Sequence, residues 1–379
     1  MIEVCEDQSP DPFAATEKLQ PIPEVVELLS QRIQDSPDNR ITFAEFTDVS
    51  LYSEHGYYSS GRVDIGPGAD FTTCPEMHEA FGFSVANAVH KTWEASGRPE
   101  PFDIIEMGAG NGKLAKDILT KLEQAYPMLY ERTRYTIIER SPGLIARQQQ
   151  SLQDMPVRWV NASADALPFH VDNAFFLSNE LPDAFPAHRV IRRGDILLEI
   201  YVSQNDEGEF IQVEGELSLA VAGTVSIDDV PDGAEFTTRP MVARWQKSLS
   251  SVMKSGHVLT IDYGIEDGVA DPAKYAPRIY PISKNGIENA YLFPGAVDIT
   301  VSLDFEHMKR AGEQAGLREL YRGSQAEFLK LHGFDEEAER LTKADENLAL
   351  DIKEKRMRKH QLRRLTRLAS FMVSLQQKT

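Results

Sequence analysis

The chain has 379 residues and a net charge of −19, from 59 acidic and 40 basic side chains. That balance argues against general nucleic-acid binding through phosphates, and it suits either a cationic partner or simple solubility. No apolar run reaches the ~18 residues needed to cross a bilayer.

The length suggests one large domain with insertions, or two domains. Two cysteines, Cys5 and Cys74, make no disulfide framework. With no CxxC, HExxH or His/Cys cluster, no metal is expected. The N-terminus MIEVCEDQSPDPF lacks both an apolar signal core and the Arg/Ser-rich bias of a transit peptide, so a cytoplasmic location is expected.

Residues 1–98 read as a helical cap around a loop. Ile22–Ile33 has apolar residues at helical spacing, as do Phe81, Val85, Ala88, Val89 and Trp93. Between them lies His55–Phe71, rich in glycine and carrying the pair Tyr57 and Tyr58. Such a segment often covers a ligand.

Phe102–Leu114, FDIIEMGAGNGKL, reads as a buried strand, a glycine turn and a helix start. Glycines let the backbone bend sharply and approach a ligand, and a helix N-terminus presents free N–H groups. Tyr135–Glu139 is a second buried strand ending in an acid, placed to accept both hydroxyls of a ribose. Two cofactors compete for this site. A dinucleotide fingerprint is GxGxxG, whereas here Lys113 stands where the third spaced glycine would fall. Glu106 precedes the turn, where a carboxylate could meet a cation. S-adenosylmethionine carries a sulfonium and an amino group and no phosphate, and is favoured. Glycines that serve tight packing alone remain the plainer alternative.

Further strands are expected at Val157–Val160, Ala174–Asn179 and Val258–Tyr263, so helices and strands alternate around a parallel sheet. His188–Gln212 reads instead as hairpins broken at Gly194-Asp195 and Asn205–Gly208. Asp304–Gly316 is a helix. Lys353–Arg367 is basic, either a docking patch or a solvated helical face. Ala369–Leu375 is a candidate closing strand at the sheet edge. The domain reading is 1–98 as cap, 99–187 as the first half of the core, and 188–250 as hairpin insertion and linking helix. Residues 251–379 then form the second half of the core, with a C-terminal helix and closing strand.

In this order the motifs resemble the MidA-like class I methyltransferases, a family that includes the mitochondrial complex I assembly methyltransferase. The likeness runs from about Ile41 to Phe334, through HGYYSSG, GADFTTCPEMHEAFG, EMGAGNGKL, YTIIERSPGL, LSNELPDAFPAHR, LTIDYG and LFPGAVDITVSLDF, to SQAEFLKLHG. It implies an α/β, Rossmann-like sheet with a helical N-terminal cap and a small antiparallel insertion. It also implies S-adenosylmethionine as cofactor and a protein arginine as acceptor. The chain departs from the family pattern at GAGNGKL, at NELPDAFPAH and in Arg278–Ala290. The last two alter the expected acceptor pocket and keep a small-molecule O-, N- or C-acceptor open, as well as a non-catalytic assembly role.

The resemblance puts Asn179, Glu180, Asp183 and His188 beside the acceptor. Glu180 and Asp183 either hold a guanidinium by charge-assisted hydrogen bonds or cap backbone. Asn179 holds the acceptor or a turn. His188 is a base or a structural histidine. Tyr57 and Tyr58 close over the site or pack in their loop, and Asp70 and Thr73 are weaker candidates. Cofactor contacts are expected from Glu106, Gly108, Ala109, Gly110, Glu139, Arg140 and Asn179. Ser163, Ala164 and Asp165 are placed near adenine, Asp165 with helix capping as its alternative. The partner expected is a protein or small-molecule methyl acceptor, with no nucleic acid and no membrane.

Overall fold

The structure is a computed structural model that describes residues 19–63, 65–66, 68–228, 230–265, 279–348 and 350–378. Two compact units emerge from the contacts. One comprises 1–63, 183–241 and 267–302, and the other 64–182, 242–266 and 303–379.

The second unit is built on a mainly parallel sheet. Its strands are β1 (Phe102–Met107), β2 (Thr133–Glu139), β3 (Val157–Asn161), β4 (Val171–Asn179), β5 (Met253–Ile265), β6 (Arg318–Ser324) and β7 (Phe371–Lys378). They lie in the order 3-2-1-4-5-7-6, with β7 antiparallel to both neighbours. A short strand, Leu303–Asp304, pairs in parallel with the end of β5.

All six residues of β1 are buried, because a central parallel strand is covered on both faces. Its core face packs with the helix Ala80–Ala95 and with the helix Lys113–Ala125, in one cluster around Phe81, Trp93, Ile104, Leu119 and Phe175. Arg134 of β2 clamps Asp103 of β1 with two hydrogen bonds, Nε to Oδ1 at 2.8 Å and Nη2 to Oδ2 at 2.5 Å.

The C-terminal strand exists as expected, but not at the sheet edge. It inserts between β5 and β6, so that β6 is the edge. Met372, Val373, Ser374 and Gln376 of this strand are buried. An apolar strand near a chain end gains more by pairing on two sides than on one, and sequence order alone does not reveal that choice. Lys353–Arg367 falls largely on the helix Ile352–Leu365, which buries Leu362 and Leu365 and exposes Lys353, Arg356, Lys359 and Arg363. No helix among the described residues is long and apolar enough to cross a membrane.

The first unit carries the expected hairpins as His188–Arg193, Ile196–Gln204 and Phe210–Gly215, all antiparallel. Two strands that the sequence did not single out extend them to five, Ile41–Thr42 and Glu235–Thr238. A three-stranded sheet is formed by Ile279–Ser283, Gly286–Ile287 and Asp298–Val301. The helix Phe43–Tyr52 starts from a capping box. Thr42 Oγ1 accepts from the Glu45 N–H, and Glu45 Oε2 accepts from the Thr42 N–H.

Candidate active site

In the second unit β1 runs directly into the glycine turn. Gly108, Gly110 and Gly112 all have left-handed backbone, with φ of 69°, 52° and 82°. A Cβ at Gly108 would stand 3.0 Å from the Leu181 side chain, and one at Gly112 3.0 Å from Leu152. Only glycine fits these positions without strain. Ala109 is buried in the same turn, and its carbonyl accepts from the Gly112 N–H at 2.7 Å. The helix Lys113–Ala125 begins at Gly112 with no side chain capping its first turn. The turn therefore offers bare main chain and a helix N-terminus at the carboxyl end of β1, a cradle a small charged ligand can approach closely.

Glu139 ends β2 beside this turn and is only 7% exposed. Its Oε1 accepts from the Ser141 N–H at 2.9 Å, and its Oε2 from Gln148 Nε2 at 3.2 Å. Burial pushes its carboxyl above the usual range, and these two donors pull it partly back. The Arg140 N–H is a third donor, which leaves the carboxylate acceptor capacity for one further donor. Arg140 is exposed, and its carbonyl accepts from Asn161 Nδ2 at 3.0 Å.

Glu106, two residues before the turn, is buried inside the sheet. Its Oε2 accepts from the Tyr135 hydroxyl at 2.7 Å. Burial raises its carboxyl to about 7, with the Glu139 and Asp117 charges adding to the rise.

Ser163, Ala164 and Asp165 form a turn after β3. Ser163 Oγ donates to Asp165 Oδ1 at 2.6 Å, and Arg244 Nε meets Asp165 Oδ2 at 3.1 Å. Partial burial opposes ionisation of Asp165, but the Ser163 hydroxyl and Arg244 hold its carboxyl below the usual range. The chain runs from here into β4 without a helix, so Asp165 caps none.

Asn179 closes β4, and Glu180 follows with φ of +51°, a left-handed conformation that costs a non-glycine residue free energy. Glu180 Oε1 accepts from Asn179 Nδ2 at 2.9 Å and from the Cys74 N–H at 3.3 Å. The Asn179 side-chain oxygen is buried and finds no hydrogen-bond partner among the described residues. A buried acceptor left in that state is costly unless something supplies a donor. Thr73 immediately precedes the short helix Cys74–Met77. Asp70 lies in the same unit.

Tyr58, Asp183 and His188 fall in the first unit. The Tyr58 hydroxyl donates to Asp298 Oδ1 at 2.8 Å, and its ring stacks on Tyr52 and meets Tyr57 edge-on. Burial, then the Asp298 charge, raises the Tyr58 phenol well above its ordinary value. Asp183 Oδ1 accepts from the Ala184 N–H at 2.9 Å.

His188 Nδ1 lies 2.6 Å from Glu199 Oε1, and Glu199 Oε2 accepts from the Ser218 N–H at 2.8 Å. Both side chains are buried. The ring is thus committed to a fully buried carboxylate. His188→Leu leaves Glu199 with the Ser218 N–H in place of two donors. It is expected to lower stability by about 3 kcal/mol, read by urea unfolding. A loss below about 1 kcal/mol would show that the pair holds little of this sheet together.

Sequence reasoning passed over Gln148, Trp159 and the Cys74 N–H. Gln148 lies in the run Gln148–Gln150, and only burial distinguishes it from its neighbours. No sequence signal could have marked it.

Residues 84–321, more than half of the chain, match the family model described as "Putative S-adenosyl-L-methionine-dependent methyltransferase". The chain belongs to this family. It is 27% identical over 329 residues to protein arginine methyltransferase NDUFAF7, mitochondrial, of Xenopus tropicalis, covering 78% of this chain and 72% of that protein. The Danio rerio protein of the same name is 25% identical over 325 residues, covering 78% and 74%. A Burkholderia thailandensis protein crystallised with S-adenosyl-homocysteine superposes with a TM-score of 0.77, at 25% identity and 94% coverage of both chains.

The chain is a methyltransferase of the class I fold, and its cofactor is S-adenosylmethionine. The glycine cradle and the buried acid of β2 fit that molecule. The glycines hold left-handed backbone that leaves the main chain bare, and Glu139 retains acceptor capacity for a ribose hydroxyl. The expected cytoplasmic location is corrected by these relatives, which are mitochondrial by name. The expectation rested on an N-terminal segment that lies outside the described residues, and its composition carries no packing information.

Proposed function

We propose that this methyltransferase transfers its methyl group to a guanidinium nitrogen of arginine in a protein. The observation that carries the reading is the buried Asn179 oxygen without a partner, set beside the Glu180 carboxylate at the end of β4. A neutral acceptor next to a carboxylate suits a planar cation with several N–H donors. The names of the Xenopus and Danio relatives favour the same acceptor.

In this reading the main chain of Gly108, Ala109 and Gly110 cradles the cofactor, Glu139 accepts from its ribose, and the Ser163–Asp165 turn borders its adenine. S-adenosylmethionine supplies the methyl group, activated by the positive sulfur. Asn179 accepts an N–H of the acceptor and aims its nitrogen, and Glu180 balances the guanidinium charge. The protein's work is alignment and exclusion of water. With S-adenosylmethionine bound, its sulfonium would supply the methyl to the nitrogen aimed by Asn179 and leave as the neutral thioether, and the nitrogen would lose one N–H proton to solvent. His188 is given no step in this reading; its Nδ1 is held by Glu199.

The test is incubation with methyl-labelled S-adenosylmethionine and mitochondrial protein extract, followed by hydrolysis. Labelled methylarginine is expected. Label confined to small molecules would replace this acceptor with the small-molecule alternative.

Glu180 can be tested separately. Glu180→Gln is expected to lower kcat about 100-fold, the loss of one charge-assisted contact in the transition state, with cofactor affinity unchanged. Glu180→Gly relieves the left-handed strain but leaves Asn179 Nδ2 and the Cys74 N–H without this acceptor, so little net change in stability is expected, with the same loss of turnover. A fully active Glu180→Gly enzyme would remove the carboxylate from the mechanism.

A further inference from the structure

We propose that Gln148 is the positioning residue that locks the glycine turn to the acid of β2, so that Glu139 presents its carboxylate to the cofactor ribose. The inference rests on the reading of Glu139 given above. Gln148 lies on the helix Pro142–Ser151 and is fully buried. Its Nε2 donates to the Gly110 carbonyl at 3.0 Å and to Glu139 Oε2 at 3.2 Å. Its Oε1 accepts from the indole N–H of Trp159, on β3, at 3.2 Å.

An amide can turn over by 180° and exchange oxygen for nitrogen. The indole prevents this, because an N–H donor can face only the amide oxygen. With the oxygen so fixed, the NH₂ group must point at the turn and at Glu139. One side chain therefore ties together three elements, β2, β3 and the glycine turn, at the place where the cofactor is held.

The bond to Glu139 does more than fix distance. Glu139 is buried, and its charged form is favoured by the Ser141 N–H, the Gln148 amide and the Arg140 N–H. A charged carboxylate is a stronger acceptor for a hydroxyl than a neutral one. Meanwhile the Gly110 carbonyl, in a left-handed segment, is held in its orientation from below. A leucine at position 148 would fill a similar volume and remove all three hydrogen bonds.

The experiment is calorimetric titration of the purified full chain with S-adenosylhomocysteine and with its 2′,3′-dideoxy analogue, at equal salt and pH. The wild-type protein is expected to prefer the ribose form by at least about 30-fold. In Gln148→Leu, affinity for S-adenosylhomocysteine is expected to fall about 10- to 100-fold, with affinity for the dideoxy analogue little changed, so the preference collapses. Trp159→Phe removes the donor to the amide oxygen and leaves the Gly110 carbonyl and Glu139 alone to orient the NH₂ group, and a loss of about threefold, confined to the ribose form, is expected. It carries the test if Gln148→Leu does not fold. Full ribose preference in both variants, or an equal loss for both ligands, overturns the proposal. No ribose preference in the wild-type protein overturns the reading of Glu139, and this inference with it.

Discussion

Glu139→Ala is expected to weaken S-adenosylhomocysteine binding by 100-fold or more, on the order of the 3 kcal/mol carried by a hydrogen bond to a charged acceptor. The carboxylate lies at the end of β2 with both oxygens already oriented, one by the Ser141 N–H and one by Gln148. In the proposed reading, a ribose hydroxyl would meet an acceptor that needs no reorganisation. Alanine removes that acceptor and also leaves the Gln148 amide short of a partner in a buried place. Glu139→Gln separates charge from shape. It can still accept from the Ser141 N–H, and an intermediate loss of about 10-fold is expected from a neutral acceptor. Calorimetry with S-adenosylhomocysteine reads both variants without requiring an acceptor substrate. An alanine variant within threefold of wild type would show that the acid of β2 serves the fold alone.

Glu106→Gln is expected to make the protein more stable at pH 8. Glu106 is buried on β1, and burial raises its carboxyl from the usual 4.5 to about 7. Below pH 4.5 it is protonated whether the chain is folded or not, and it costs nothing. Between 4.5 and 7 the unfolded chain releases the proton while the folded one retains it, so stability falls as pH rises through that window. Above 7 the full penalty is present, about 3 kcal/mol for a shift of this size.

Glutamine does not titrate, and its oxygen can accept from the Tyr135 hydroxyl as Glu106 does. Its own NH₂ group needs partners, which reduces the expected gain at pH 8 to about 2 kcal/mol. The gap should close by about pH 5. Asp117, whose carboxyl burial also raises, to about 6, is present in both proteins and enters the difference only through its coupling to Glu106. Thermal unfolding at pH 5 and pH 8 measures it. Parallel stability curves for the two proteins would mean that Glu106 ionises in the folded state without penalty.

Much of this fold can be read from local pattern. The strand–GAGNG–helix segment, the acid ending Tyr135–Glu139, and the hairpins at Gly194-Asp195 and Asn205–Gly208 each depend on residues close in sequence. Glycine is legible at these turns because left-handed backbone disfavours residues with a Cβ for local steric reasons. The helix expected over Asp304–Gly316 forms as Phe305–Gln314, with Asp304 Oδ1 accepting from the His307 N–H. That is a local capping contact, and spacing alone is enough to suggest it.

Other features depend on partners far away in the chain. β7 fits between β5 and β6 because two distant strands present unpaired edges to it, and its own sequence reads the same at an edge or inside. Two-residue Ile41–Thr42 becomes a strand only through Tyr201 and Val202. Asp165 reads as an adenine-side contact or a helix cap, and Arg244, 79 residues away, meets its carboxylate. His188 reads more often as a structural residue than as a base, and only the fold places Glu199, 11 residues on, against its Nδ1. Gln148 is one of three consecutive glutamines until burial selects it.

The sequence by itself determined the cofactor turn, the acid of β2, the alternation of helices and strands, and the family likeness, because these rest on short-range sterics and hydrophobic period. Only the tertiary structure decided the strand order, the partners of His188, Asp165 and Glu106, and the buried unpaired oxygen of Asn179. Burial and hydrogen-bond satisfaction are set by residues that meet only when the chain has folded.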